Sequence, residues 1–178
     1  AGDESSHHRD PTYESTVTYY LEGPHSEAFC ADEQVNRAPH FVGGRMRANM
    51  ADLGASYSLS MWLWNGMPND ARETSGWLFS RDHDQGLSSY GMHFGVGGKG
   101  HPGRLILQSG TGSNSTLVGK NELPRWTWAH VVLVVDAGNV RAFLNGSLEF
   151  EGKAAPCAVP QCFFGGRSDN DSNWEGRL

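Results

Sequence analysis

Two glutamates in the carboxyl-terminal third of the chain are spaced as a catalytic pair could be. Glu149 and Glu151 are separated by one residue in a stretch with strand composition, so alternation places both carboxylates on one face. Hydrolysis of a glycosidic bond needs two carboxyl groups about 5–10 Å apart. No third acid follows at Gly152 and Lys153, so we interpret the pair as part of a solvated edge strand. A serine nucleophile is unsupported too, because no Gly-x-Ser-x-Gly elbow occurs.

Hard oxygen ligands are concentrated in two other stretches. Asp169-Asn170-Asp171 offers carboxylate and amide oxygens beside Gly165-Gly166, and Ca²⁺ takes six to eight such ligands. Asp82 and Asp84 form a second acidic loop. Turn composition alone explains both stretches, and the spacing is not that of an EF-hand. A structural calcium held by Asp169, Asn170 and Asp171 is therefore one of two interpretations, and no motif requires another cofactor.

Tryptophans are the third group of candidate residues. Sugar C–H faces stack on aromatic rings, whereas sugar hydroxyls need fixed polar partners. Trp126 and Trp128 stand where a strand begins, and Trp174 stands in a loop, so these three are the candidate ligand-binding platforms. Alternation places Trp62 and Trp64 on one side of a strand. We expect most rings other than the three candidates to lie in the core.

The cysteines leave two alternatives open. Cys157 and Cys162 flank a short Ala-Val-Pro-Gln segment, and they either close a small disulfide loop or remain reduced and buried. Cys30 is unpaired in both cases. No second Cys/His pair stands at a zinc-ligand spacing, which argues against a zinc site.

The elements that must position these residues are strands. Residues 129–135 are apolar and mostly β-branched, Asp136-Ala137-Gly138-Asn139 has turn composition, and residues 140–144 form a second strand before Asn145-Gly146. Both faces of the first of these strands are apolar, which predicts a central strand covered on both sides. Many further short strands at near-regular spacing, with no convincing helix, predict an all-β sandwich of two antiparallel sheets.

Three segments in the same order resemble a known family. Trp128-Ala129-His130-Val131 and the following hairpin, Ser58-Leu59-Ser60-Met61-Trp62-Leu63-Trp64, and Phe164-Gly165-Gly166-Arg167 with Trp174-Glu175-Gly176-Arg177-Leu178 resemble the laminin-G-like, concanavalin A-like jelly-roll modules. The resemblance covers residues 41–178 and implies a jelly-roll sandwich. It assigns residues 1–40 to a lead-in of the same domain, with a first strand and a long loop.

The same resemblance supplies expectations about sites. Related glucanases carry a Glu-x-Asp-x-(x)-Glu motif that this chain lacks, and related lyases use Arg, Gln-x-His and Tyr, for which Arg104, Gln108 and His93 are the nearest candidates without an intact motif. Family modules often hold a rim calcium. In the family the segment ending at Leu178 continues into another strand, so we expect that final strand to be missing here.

Composition narrows the partners. The net charge of −6 and the absence of a basic stripe argue against nucleic acid. No apolar run has the length of a membrane span. We expect a secreted, periplasmic or cell-surface location, as a segment of a larger parent chain with neighbouring domains.

Three functions remain open at this point. The favoured hypothesis is a non-catalytic module that binds a glycan or a protein ligand through rim loops. The alternatives are a hydrolase or lyase acting on a polysaccharide, and a structural spacer domain.

Overall fold

The computed structural model describes residues 2–27, 35–51, 53–66, 74–82, 91–98, 100–110 and 116–178, and its regular elements within these ranges are strands. They are β1 (Thr12–Glu14), β2 (Val17–Glu22), β3 (Arg37–Val42), β4 (Arg45–Asn49), β5 (Tyr57–Trp64), β6 (Gly76–Arg81), β7 (Met92–Val96), β8 (Arg104–Ser109), β9 (Thr116–Glu122), β10 (Trp128–Asp136), β11 (Asn139–Leu144), β12 (Ser147–Lys153), β13 (Gln161–Phe164) and β14 (Glu175–Arg177). Cys30 and Asp84 lie outside the described residues.

The strands form two seven-stranded sheets. The first sheet has the order β1-β4-β13-β6-β7-β8-β9, and the second has the order β12-β11-β10-β5-β14-β3-β2. The strand pairings in both sheets are antiparallel. The predicted two-sheet antiparallel sandwich is confirmed. No helix in the described ranges is long and apolar enough to cross a membrane.

Strand β10 shows how the alternation of the sequence builds the core. Its inward residues include Ala129, Val131 and Leu133, which are completely buried between the sheets. The turn at Ala137 and Gly138, both with positive φ, returns the chain into β11 as predicted. Strand β10 lies between β11 and β5 and is central, as expected. Its outward face is only partly covered, because Val132 and Val134 are half-buried.

The two ends of the chain contribute edge and interior strands. Strand β1 is an edge of the first sheet, and β2 and β3 complete one side of the second sheet. Strand β2 forms where the sequence predicted a first strand, whereas β3 begins at Arg37, inside the stretch that was predicted as a long loop. Strand β14 enters the second sheet between β3 and β5, and it pairs with β5 at Arg177↔Trp64. A short last strand thus forms where the sequence predicted only the approach to one.

Cys157 and Cys162 are free thiols in the structure, so the disulfide alternative is not realised. The Cys157 thiol donates to the Arg81 carbonyl oxygen at 3.3 Å. Burial raises the pKa of the Cys162 thiol to about 11, which keeps it protonated and unreactive at neutral pH.

Candidate functional site

Four tryptophans meet on the outward face of the second sheet. Trp64 lies directly opposite Trp128 in the pairing of β5 with β10, and Trp62 lies opposite His130. Alternation points these three tryptophans and His130 away from the core, and all four residues are half-buried, whereas the fourth tryptophan, Trp126, precedes β10. The structure therefore corrects the expectation that most of the other rings, among them Trp62 and Trp64, lie in the core. Ser58 and Ser60, which share this face of β5 and are exposed, carried the signal that the face is open.

Trp126 stands at the entrance to this face in an unusual conformation. Its φ is +57°, and its side chain is 63% exposed. A large side chain in the left-handed region costs about 1–2 kcal/mol. Two contacts hold the residue: its N–H donates to the Asn65 carbonyl oxygen at 2.9 Å, and its ring meets the Trp64 ring at 5.7 Å and 76°. The strain is thus retained at an exposed aromatic ring, the situation that points to a ligand site.

The tryptophans line one cleft, here called the tryptophan cleft. It has a volume of about 490 Å³. Pro24, His25 and Ser26 line it together with Trp62, Trp64, Trp126, Thr127 and Trp128. Trp64 and Trp126 present nearly perpendicular ring faces, and Ser26, Thr127 and His25 add polar groups. None of these described lining residues is acidic, so the cleft combines aromatic surface with hydroxyl and imidazole groups that can form hydrogen bonds.

Neighbouring side chains hold the aromatic rings in place. The Arg177 guanidinium lies 4.6 Å from the centroid of the Trp64 ring, and its Nη1 donates to the Glu22 carbonyl oxygen at 3.0 Å. The His130 ring lies 5.0 Å from the Trp62 ring, with His130 Nε2 at 2.8 Å from Ser60 Oγ. These contacts pre-organise the cleft, which reduces the entropy lost when a ligand binds.

Trp174, the third predicted platform, is in a different place. Its side chain is completely buried in the core between the sheets, and the backbone N–H of Trp174 donates to the Gly165 carbonyl oxygen at 3.0 Å. Entry of β14 into the second sheet draws the preceding residue inward. Trp174 therefore contributes to packing and is corrected as a binding candidate.

The predicted calcium loop is organised around an arginine. Arg167 donates to both carboxylate oxygens of Asp169, from Nε at 3.0 Å and Nη2 at 2.8 Å, and from Nη2 to Asp171 at 3.2 Å. Asn170 Oδ1 accepts from Asn173 Nδ2. Among the described residues, no group of three or more His, Cys, Asp or Glu side chains converges on one point. The residues Asp169, Asn170 and Asp171 therefore fit the interpretation as a turn, which here is ion-paired, better than the alternative of a calcium site.

Asp82, the described member of the second acidic loop, is a buried carboxyl group. It is 2% exposed, and its Oδ2 accepts from the Ser168 hydroxyl at 2.8 Å. Burial raises its pKa, and the hydrogen bonds from Ser168 only partly offset this effect.

The two glutamates do not form a pair. Ala142 faces Phe150 and Phe143 faces Leu148, so Glu149 is the extra residue of a β-bulge in β12. The bulge turns Glu149 inward, where it is 1% exposed and accepts hydrogen bonds from the N–H groups of Lys120 and Asn121, at 2.8 Å each. Glu151 stays exposed. The expectation that both acids share one face is therefore wrong, because a bulge interrupts the alternation.

The candidates for lyase chemistry do not form an open site. His93 lies opposite Gln108 in the pairing of β7 with β8, but it is 1% exposed and packs against Trp77 at 5.3 Å. Arg104 stands exposed at the start of β8. A substrate would have no access to His93.

The fold defines a concanavalin A-like jelly-roll module. Residues 42–178 match the family model of the concanavalin A-like lectin/glucanases superfamily, and the chain belongs to this superfamily. No curated protein gives a significant match to the sequence.

Several solved structures have a similar fold. One is domain 4 of AbnA, a GH43 extracellular arabinanase from Geobacillus stearothermophilus, in complex with arabinotriose; the TM-score is 0.61 at 20% identity, over 94% of this chain and 78% of that chain. Another is a SAP-like pentraxin from Limulus polyphemus, with a TM-score of 0.55 at 18% identity over 91% of this chain and 72% of that chain. A third is the CBM40 of the Ruminococcus gnavus IT-sialidase bound to α2,3 sialyllactose, with a TM-score of 0.52 at 12% identity over 70% of this chain and 71% of that chain. At these identities the likeness concerns the fold.

Proposed function

We propose that this chain is a non-catalytic carbohydrate-binding module whose ligand occupies the tryptophan cleft. The observation that carries the proposal is Trp126, an exposed indole held in a left-handed conformation beside three more tryptophans. Stacking on sugar C–H faces is a use for which exposed rings of this kind are suited, and hydroxyl and imidazole groups nearby can bind sugar hydroxyls.

The charge of the site favours a neutral glycan. The described lining residues include no carboxylate, and the Arg177 guanidinium beside the rings is engaged with Trp64 and the Glu22 carbonyl. The net charge of −6 repels a polyanion at long range. The arabinotriose complex of the similar AbnA domain makes arabinan a natural first probe. The extracellular origin of that domain supports a secreted or cell-surface role here.

A glycosidase function finds no such support in the described residues. The Glu149 carboxylate is buried and binds backbone N–H groups of β9, whereas Glu151 is exposed to solvent. The two carboxylates therefore do not face one substrate together. A spacer function does not explain why an exposed tryptophan is held in a left-handed conformation. Failure of the protein to bind any polysaccharide in the following experiment would favour the spacer function.

The test is affinity electrophoresis of the purified chain in gels containing arabinan, xylan or mixed-linkage glucan. We expect retention by at least one of these polysaccharides and loss of that retention in Trp126→Gly. Ala137→Gly is the matched control, because it places glycine at another left-handed position, in the β10–β11 turn. Migration of the wild type unaffected by all three polysaccharides would overturn the proposed function.

A further inference from the structure

A second exposed aromatic residue in a left-handed conformation stands on β2. Tyr20 has a φ of +67° and is 81% exposed. It belongs to a β-bulge, because three steps along β2 from Thr18 to Leu21 face two steps along β3 from His40 to Ala38. Arg37 Nη1 fixes the bulge by donating to the Tyr20 carbonyl oxygen at 2.7 Å. Trp126 and Tyr20 thus share three features: a left-handed backbone, an exposed ring and a hydrogen bond that fixes the backbone at that position.

The bulge forms one wall of a second cleft, here called the tyrosine cleft. It has a volume of about 570 Å³, and the described residues that line it are Tyr13, Tyr19, Tyr20, Arg37, Ala38 and Pro39. The Tyr13 and Tyr19 rings meet at 5.1 Å and 75°, so the cleft has a corner of crossed ring faces like that of Trp64 and Trp126.

The polar groups of the tyrosine cleft suit sugar hydroxyls. Burial raises the pKa of Tyr13, so its phenol stays protonated and can donate a hydrogen bond. The Arg37 guanidinium has further N–H donors beyond the one that binds Tyr20. The described lining includes no carboxylate that would compete for these donors.

The two clefts are close enough to be bridged by one ligand. Tyr20 lines the tyrosine cleft and Pro24 lines the tryptophan cleft, and these two residues are only four positions apart in the chain. A segment of that length spans at most about 14 Å. An extended oligosaccharide can cover such a distance.

We propose that the tyrosine cleft is a second saccharide subsite, which binds a distal part of the same neutral glycan chain that occupies the tryptophan cleft. This inference rests on the proposed function and adds a ligand-length requirement to it. Two linked contacts raise the affinity for a long chain through effective concentration, whereas a short chain can engage one cleft only.

The experiment is titration calorimetry with arabino-, xylo- and gluco-oligosaccharides from the trisaccharide to the octasaccharide. We expect wild-type affinity for the retained series to rise with length by about tenfold or more. Tyr20→Gly suits the left-handed backbone and removes the ring, and it should abolish this rise. Tyr19→Ala is an independent second variant with the same expectation, and Ala137→Gly should keep the wild-type dependence on length.

The outcomes separate the two proposals. If Tyr20→Gly and Tyr19→Ala keep the full rise with length while Trp126→Gly weakens binding at all lengths, the tyrosine subsite is overturned and the proposed function stands. If the wild type binds none of the three series, both are overturned.

Discussion

At the scale of single residues, replacing Trp126 should affect ligand binding much more than folding stability. Replacing Trp126 by Gly removes left-handed strain of about 1–2 kcal/mol, and it also removes a ring pair with Trp64 worth about 0.5–1.5 kcal/mol. We therefore expect a free energy of unfolding within about 1 kcal/mol of wild type, measured by denaturant titration. Glycan affinity should fall by about tenfold or more, equivalent to about 1.4 kcal/mol. Unfolding of the variant at ambient temperature would contradict this account.

Glu149 is a structural residue in our interpretation. Glu149→Ala removes the buried carboxylate that accepts part-buried hydrogen bonds from the backbone N–H groups of Lys120 and Asn121. Each unsatisfied group costs about 1–3 kcal/mol, so we expect a loss of about 2–5 kcal/mol in the free energy of unfolding. The matched change Glu151→Ala, at an exposed site two residues away, should cost less than about 0.5 kcal/mol. Equal effects of the two changes would contradict the bulge.

Asp82 should contribute a pH-dependent instability. Its pKa is raised in the folded state, so ionisation above that pKa opposes folding, and the opposition disappears as the pH falls through it. The free energy of unfolding of Asp82→Asn minus that of the wild type should therefore be larger at about pH 7 than at about pH 4. Chemical denaturation of both proteins at the two pH values measures this difference. A relative stability that does not change with pH would contradict the raised pKa.

At the scale of elements, only the inward face of β10 is buried in the core between the sheets. Leu133 is completely buried whereas Val132 is half-buried on the outward face. Leu133→Ala should cost about 2–5 kcal/mol through lost burial and a residual cavity. Val132→Ala should cost about 1 kcal/mol or less. Comparable denaturation midpoints for the two variants would show that the outward face is covered after all.

The elements also show what the sequence could predict. Alternation and turn composition predicted β10, β11 and the turn between them, because these depend on neighbouring residues alone. The bulge at Glu149 and the burial of Trp174 depend on pairing with distant strands, and local periodicity carries no information about such partners. Trp62 and Trp64 were assigned to the right strand and the same face, but whether that face is covered depends on the whole sheet.

At the scale of the whole molecule, recognition should depend little on ionic strength. The described residues of both clefts lack carboxylates, and the net charge of −6 disfavours an anionic ligand. Polysaccharide retention should therefore change by less than about twofold between about 0.05 and 0.5 M salt, because screening acts on charge pairs. A steep decline of retention with salt would indicate an acidic glycan bound through Arg37 or Arg177.

The contact between Arg177 and Trp64 should influence the intrinsic fluorescence of Trp64. Trp64 lies on the floor of the tryptophan cleft, and the guanidinium on its ring belongs to the last strand, whose own backbone pairs with β3 and β5. The emission of this one indole is thus sensitive both to a sugar arriving from outside and to the detachment of β14. A Trp64→Phe variant would identify the contribution of Trp64 to the fluorescence, so that ligand binding and any detachment of β14 can be followed by the same intrinsic probe.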